Sequence, residues 1–186
     1  MLKIEHLKLT LTITYFTLIV IFLFFYFYFD FNQYINLTYL KENKDFFISY
    51  KNKNVFLLSF IFFIFVIVWI LLQGFGTPLV IIAGFLFSTL LGSFLLITSH
   101  AIGCTFVYLI ANSLFKRSIQ KNYSNYYLKL KKKFNDNEFI YLIFLRVIPG
   151  IPLQTVNILP VFFNMKVKNY FLATLIGSTI PIIIYL

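Results

Sequence analysis

From residue 54 to residue 115 no side chain carries a formal charge. Apolar runs of about 20 residues are what a helix needs to cross a bilayer. This stretch holds enough chain for more than one crossing. The rest of the composition agrees: 60% of the 186 residues are hydrophobic, 12% are charged, and mean hydropathy is +0.86. Soluble domains carry roughly twice that density of charge. The sequence therefore predicts an all-α, polytopic membrane protein, and its length predicts one compact bundle.

Glycine and proline divide the uncharged run at positions 74, 76, 78, 84 and 92. Residues 55–72 and 93–115 read as two spans. Between them, "GFGTPLVIIAGFLFSTLLG" is too short and too broken to cross, and is expected to be re-entrant. Upstream, residues 9–29 are uncharged and follow Lys3 and Lys8. That stretch is too long for a signal-peptide core and lacks a small-residue cleavage site, so it is expected to be an uncleaved first span. Residues 30–54 form a polar loop. Downstream, residues 116–133 are dense in Lys, with Ile119, Tyr123, Tyr126, Leu130 and Phe134 at helical spacing. They read as a basic amphipathic helix on an anionic membrane surface or as a solvated basic loop. A second broken segment, 138–164, and a last span, 170–186, complete the chain. The N-terminal span and loop make one unit, residues 1–54, and the membrane domain another, residues 55–186.

The net charge of +10 raises the question of nucleic acid. The basic residues instead cluster in loops beside apolar spans, a positive-inside pattern that points to membrane lipids with anionic headgroups as partners, not nucleic acid. The single cysteine, Cys104, lies inside an apolar span and reads as a packing residue; it supports neither a disulfide framework nor a Cys-based metal site. No paired intramembrane carboxylates, G-x-S-x-G, H-E-x-x-H or P-loop occurs, so no enzyme chemistry, metal or cofactor is expected. The 22% aromatic content follows from A/T-rich codons, as does the abundance of Ile, Asn and Lys, and carries no functional weight.

The chain also repeats. Gly76 and Pro78 of "GTPL" fall 74 positions before Gly150 and Pro152 of "GIPL", and Gly103 of "IGCT" falls 74 before Gly177 of "IGST". Glycine and proline are scarce here, so matches at one offset are informative. Weak internal symmetry of broken apolar segments is what transporter repeats leave in sequence. The expected units, 76–115 and 150–186, are each a re-entrant hairpin followed by a transmembrane helix, with two N-terminal transmembrane helices before them. With the N-terminus outside, this arrangement puts the loops 30–54 and 116–133, with Lys166 and Lys168, in the cytoplasm. If 76–92 crossed, an N-inside arrangement would also satisfy the charges.

Arg146 is the only charged residue between Phe139 and Met165. A central arginine costs about 2.5–3.5 kcal/mol on insertion scales, so it faces a partner or a wet cavity. Helices beginning after Gly76-Thr77-Pro78 and Gly150-Ile151-Pro152 would aim free N–H groups at the same depth. With Arg146 they make an anion site. Gln154, Thr155 and Asn157 follow within one hairpin and are candidates to line it, with Thr77 from the first. The bland alternatives are that Arg146 snorkels or pairs with Asp136 or Glu138, and that the amides only satisfy backbone at the break. His100, within the span 93–115, is the candidate proton relay; its alternative is a hydrogen bond to a neighbouring helix.

"AGFLFSTLLG" (83–92) and "FLRVIPGIPLQTVN" (144–157) resemble the two hairpin signatures of the DedA/VTT-domain superfamily, the SNARE-associated Golgi proteins, most closely its Tvp-like branch. The likeness covers about residues 55–186. It implies close packing of the first hairpin at Gly84 and Gly92, and a second hairpin formed by Arg146, Pro149, Pro152 and Asn157. It also implies two facing re-entrant hairpins that move phospholipid or polyprenyl phosphate between leaflets, by scrambling or ion-coupled flipping. On the family's distribution the setting would be a bacterial inner membrane. Ser88 and Pro160 stand where the family usually has glycine. The acidic residue of the DedA first hairpin and a second arginine are absent, with Gln154 near the latter's place. These departures weigh against proton coupling more than against the fold. The functional expectation is a multi-pass lipid flippase or scramblase, open to homo-oligomerisation. Its alternatives are an ion-coupled transporter of a small solute and a non-transporting membrane scaffold.

Overall fold

The computed structural model describes residues 53–120 and 138–186, apart from Pro149 and the side chains of 115–120, with scattered positions in 13–29 and at 42, 49, 132, 134, 136 and 137. Part of the first span and most of the basic segment 116–133, with its expected amphipathic helix, lie outside the described residues. Six helices follow in order: α1 Val55–Leu71, α2 Gly76–Leu86, α3 Thr89–Gln120, α4 Glu138–Val147, α5 Leu153–Phe163 and α6 Val167–Tyr185. Two are long and apolar enough to cross a membrane, α6 and the Thr89–Leu114 part of α3, whose 26 residues reach about 39 Å. The outer surface is greasy: Leu90, Phe56 and Ile184 are 87%, 84% and 72% exposed. Their exposure matches a surface facing lipid tails.

Glycines and left-handed residues punctuate the helices. α1 stops where Gln73 takes φ 61° and Gly74 N donates to Trp69 O at 3.0 Å. The Trp69 indole folds over this turn and donates to Phe75 O at 2.8 Å. A Cβ on Gly74 would lie 2.3 Å from that ring nitrogen, so only glycine fits beneath it. α4 stops at extended Ile148, and Gly150 at φ +88° turns the chain towards α5. α5 ends on Asn164, also left-handed, with Met165 N donating to Pro160 O.

Helix directions can be read from paired contacts. Phe62 meets Phe87 (5.3 Å between ring centroids), and Ile67 and Ile70 meet Gly103. α1 and α3 therefore run side by side in the same direction. Glu138 lies against Lys166 and Asn169, and Ile143 and Arg146 against Gly177, so α4 and α6 also run alike. Between the pairs the order reverses. His100 meets Ser178 at 3.2 Å, and Tyr108 stacks on Tyr170 at 4.4 Å and donates to Met165 O, which makes α3 antiparallel to α6.

This corrects the expected topology. A full span over 55–72 followed by a hairpin at 76–92 would make 55–72 and 93–115 antiparallel. Instead the chain reverses twice, at 72–75 and again at Phe87-Ser88, and α2 doubles back on α3 where Gly92 leaves 3.2 Å between its missing Cβ and Ala83 O. Residues 53 and 120 consequently sit at opposite ends of the bundle, while the sidedness expected for the loops 30–54 and 116–133 falls largely outside the described residues. Tyr15, in the first span, donates to Leu71 O at 2.7 Å, at the same end of α1 as the first turn.

Candidate functional site

The site forms where α3, α4, α5 and α6 meet. Glu138, Leu142 and Arg146 are the buried residues of α4, spaced four apart on one face. At one end of that face the Glu138 carboxylate accepts from Asn169 Nδ2 at 2.6 Å and from the Lys166 backbone N–H, so it is not the partner of Arg146. At the other end Arg146 is 9% exposed and does not snorkel.

Its contacts are neutral. Nη2 donates to Asn157 Oδ1 at 3.0 Å, Tyr170 Oη at 3.0 Å and Thr174 Oγ1 at 3.1 Å, three acceptors for two hydrogens. Nη1 meets only Cys104 Sγ, at 3.7 Å, a weak acceptor. Nε is buried without a partner. The guanidinium also lies 5.6 Å from the Tyr170 ring centroid. Close helix packing makes this burial workable: a Cβ on Gly177 would come within 2.9 Å of Arg146 Cβ. One whole positive charge is thus held among buried dipoles.

Beside it is a cavity of about 550 Å³. Its polar lining consists of Thr77, His100, Arg146, Ser178 and Tyr185; the remainder is mostly aliphatic and includes Leu79, Leu96 and Ile182. Gly76 and Thr77 bring the start of α2 to the cavity, and Leu153 the start of α5. His100 is tied in on both sides, with Ser178 Oγ 3.2 Å from Nδ1 and Cys104 Sγ 3.5 Å from Nε2.

Of the candidate ligand residues, Arg146 and Thr77 line the cavity, as does His100. Asn157 does not; it is 1% exposed and spent on Arg146. Nor does Gln154, whose Nε2 donates to Gln73 O at 3.1 Å and so clasps the first turn of the chain to the start of α5. Thr155 is exposed. Gly84 lies 3.3 Å, at its missing Cβ, from Leu186 O, and Gly92 closes α2 on α3. Pro78 sits in the first turn of α2 and Pro152 caps α5, where a missing N–H costs nothing. Pro149 lies outside the described residues. Sequence reasoning missed Tyr170, Thr174 and Ser178, and gave Cys104 only a packing role. The available signal was their register: Thr174 and Ser178 stand 74 positions after His100 and Cys104.

The VTT domain family profile matches residues 75–186, more than half of the chain. Among curated proteins the chain is 32% identical to Transmembrane protein 41B of Xenopus laevis over 120 residues, covering 61% of this chain and 43% of that protein. The human protein of the same name is 28% identical with 61% and 41% coverage, and the chicken one 27% with 61% and 45%. The chain thus spans less than half the length of the relatives it matches. No solved structure matches.

Proposed function

Because this chain belongs to the VTT-domain family, we propose that it is a membrane lipid transporter, a flippase or scramblase that passes phosphate-bearing headgroups between leaflets along the Arg146 cavity. One observation carries the reading: a buried guanidinium with neutral partners and an unpartnered Nε lines a largely apolar cavity. An anion is what such a group lacks, and aliphatic walls suit a ligand that brings acyl chains with it. The chain's work is binding and orienting, without bond-making. Thr77 and the starts of α2 and α5 aim donors at the headgroup, while Asn157, Tyr170 and Thr174 hold the guanidinium in place.

In this reading the turns at 72–75 and 148–152 are the tips of two facing re-entrant hairpins, and Gln154 joins them. The antiparallel α3 and α6 make the two units inverted repeats. The helix directions favour a multi-pass arrangement with the N-terminus inside. Lys3, Lys8, the basic 116–133 segment, Lys166 and Lys168 then share the cytoplasmic side of a cell membrane, with a bacterial inner membrane as the expected setting.

The test is leaflet exchange of a headgroup-labelled phospholipid in reconstituted vesicles. Exchange by the wild type that falls severalfold in Arg146→Gln supports the site; equal exchange by both overturns it. The place of His100 on the cavity, bonded to Ser178, favours ion coupling as a second reading. It requires an imposed pH gradient to drive exchange and His100→Gln to abolish that drive.

A further inference from the structure

We infer that the cavity selects its ligand by phosphate charge, taking a phosphodiester monoanion in preference to a phosphomonoester dianion. The inference rests on the lipid-transport reading and narrows the class of headgroup.

Arg146 supplies the only whole charge among the described residues on the wall. His100 is the other basic side chain there, and at pH 8 an ordinary imidazole is neutral. Thr77, Ser178 and Tyr185 add only hydroxyls. Helix ends do not supply a second charge. α2 and α5 begin at the cavity, α4 ends at it through Leu145, Arg146 and Ile148, and their partial charges oppose one another.

Few guanidinium donors are left over for a ligand. Nη2 is already committed to Asn157, Tyr170 and Thr174. That leaves Nε–H, without a partner, and Nη1, which meets only a sulfur at 3.7 Å. Nε–H and Nη1 lie on opposite edges of the guanidinium, so a single phosphate meets one of them and pairs with the guanidinium chiefly by charge. A phosphodiester presents two non-bridging oxygens sharing one negative charge, and with one guanidinium the pair is neutral. A phosphomonoester at pH 8 brings a third terminal oxygen and a second negative charge. In a cavity walled largely by aliphatic side chains such as Leu79, Leu96 and Ile182, that charge meets no second cation among the described residues, and a poorly solvated, uncompensated charge is disfavoured.

The test uses two nearly isosteric lipids, phosphatidylmethanol and phosphatidic acid, labelled on the acyl chain, in vesicles carrying the full chain at pH 8. Phosphatidylmethanol is expected to exchange at least about tenfold faster. Thr77→Lys, which sets a second cation on the wall without touching the Arg146 partners, is expected to narrow or reverse the preference. Equal rates for the two lipids in the wild type, or a Thr77→Lys variant that exchanges lipid with the preference unchanged, overturn the charge selection and leave the transport reading standing. Exchange of neither lipid overturns the transport reading itself. Uptake of soluble dimethyl phosphate without lipid exchange assigns the site to a water-soluble anion and overturns the lipid source.

Discussion

The three-helix segments 55–120 and 138–186 have similar helix orders but differ in charge: residues 55–115 carry none, whereas Arg146 lies alone between residues 139 and 165. Each has a helix, a turn, an 11-residue helix and a long helix, and in each the first and last run in parallel. Each closes its central crossing on a glycine, Gly103 against Ile70 and Gly177 against Arg146. At the position equivalent to Arg146 the first unit has Leu72. The neutral unit supplies walls, His100 and Cys104; the charged one supplies the guanidinium and the dipoles that hold it. In both segments a glycine marks where the backbones approach, and only the second places a charge at that crossing.

That contrast can be broken experimentally, starting at its centre. Arg146→Ala strands Asn157, Tyr170 and Thr174 in a cavity and is expected to cost about 3 kcal/mol as well as lipid exchange. Thermal unfolding in detergent checks the first and the vesicle assay the second. An unchanged melting temperature would mean that these dipoles do not depend on the charge.

The glycine crossings come next. Gly177→Ala puts a methyl 2.9 Å from Arg146 Cβ and 3.2 Å from Ile143 Cα, and is expected to cost about 2 kcal/mol. Gly103→Ala meets Ile70 Cβ at 3.1 Å and Ile67 Cα at 3.4 Å, and should cost about 1 kcal/mol. Equal losses, read from paired unfolding curves, would show the two crossings to be interchangeable.

The glycines of the two matched tetrapeptides should separate further. Gly150 has φ +88°, so Gly150→Ala is expected to cost about 1–2 kcal/mol. Gly76 starts α2 with nothing within 4 Å of its missing Cβ, and Gly76→Ala should be close to neutral. A small effect is also expected where Gln154 reaches the first turn. Gln154→Ala removes the bond to Gln73 O, for about 1 kcal/mol or less. Its signature would be faster amide exchange at 72–75 rather than a large drop in melting temperature.

Much of this was legible in the residues. Lack of charge dictated helices in lipid, and the Gly/Pro clusters at 74–78 and 149–152 marked where the chain turns. The isolation of Arg146 in the sequence pointed to a side chain that the structure buries among polar partners. Helix direction was not legible, because hydropathy carries no sign along the axis. A short apolar helix that doubles back reads the same as one that does not. The holders of the guanidinium were hidden for a different reason. Thr105 and Thr179 bond the carbonyls of Ala101 and Leu175, four residues back on their own helices, as hydroxyls in apolar helices usually do. Thr174, in the same kind of sequence, accepts from Arg146 instead. Local sequence cannot separate the two uses.

By itself, then, the sequence determined long uncharged helical segments punctuated by glycine and proline, with one charge among them that hydrocarbon would not accept. Which neighbours accept that charge was decided only when α3 and α6 met head to tail, because desolvating a guanidinium is offset by dipoles from three separate helices, α3, α5 and α6, and no single helix can supply them.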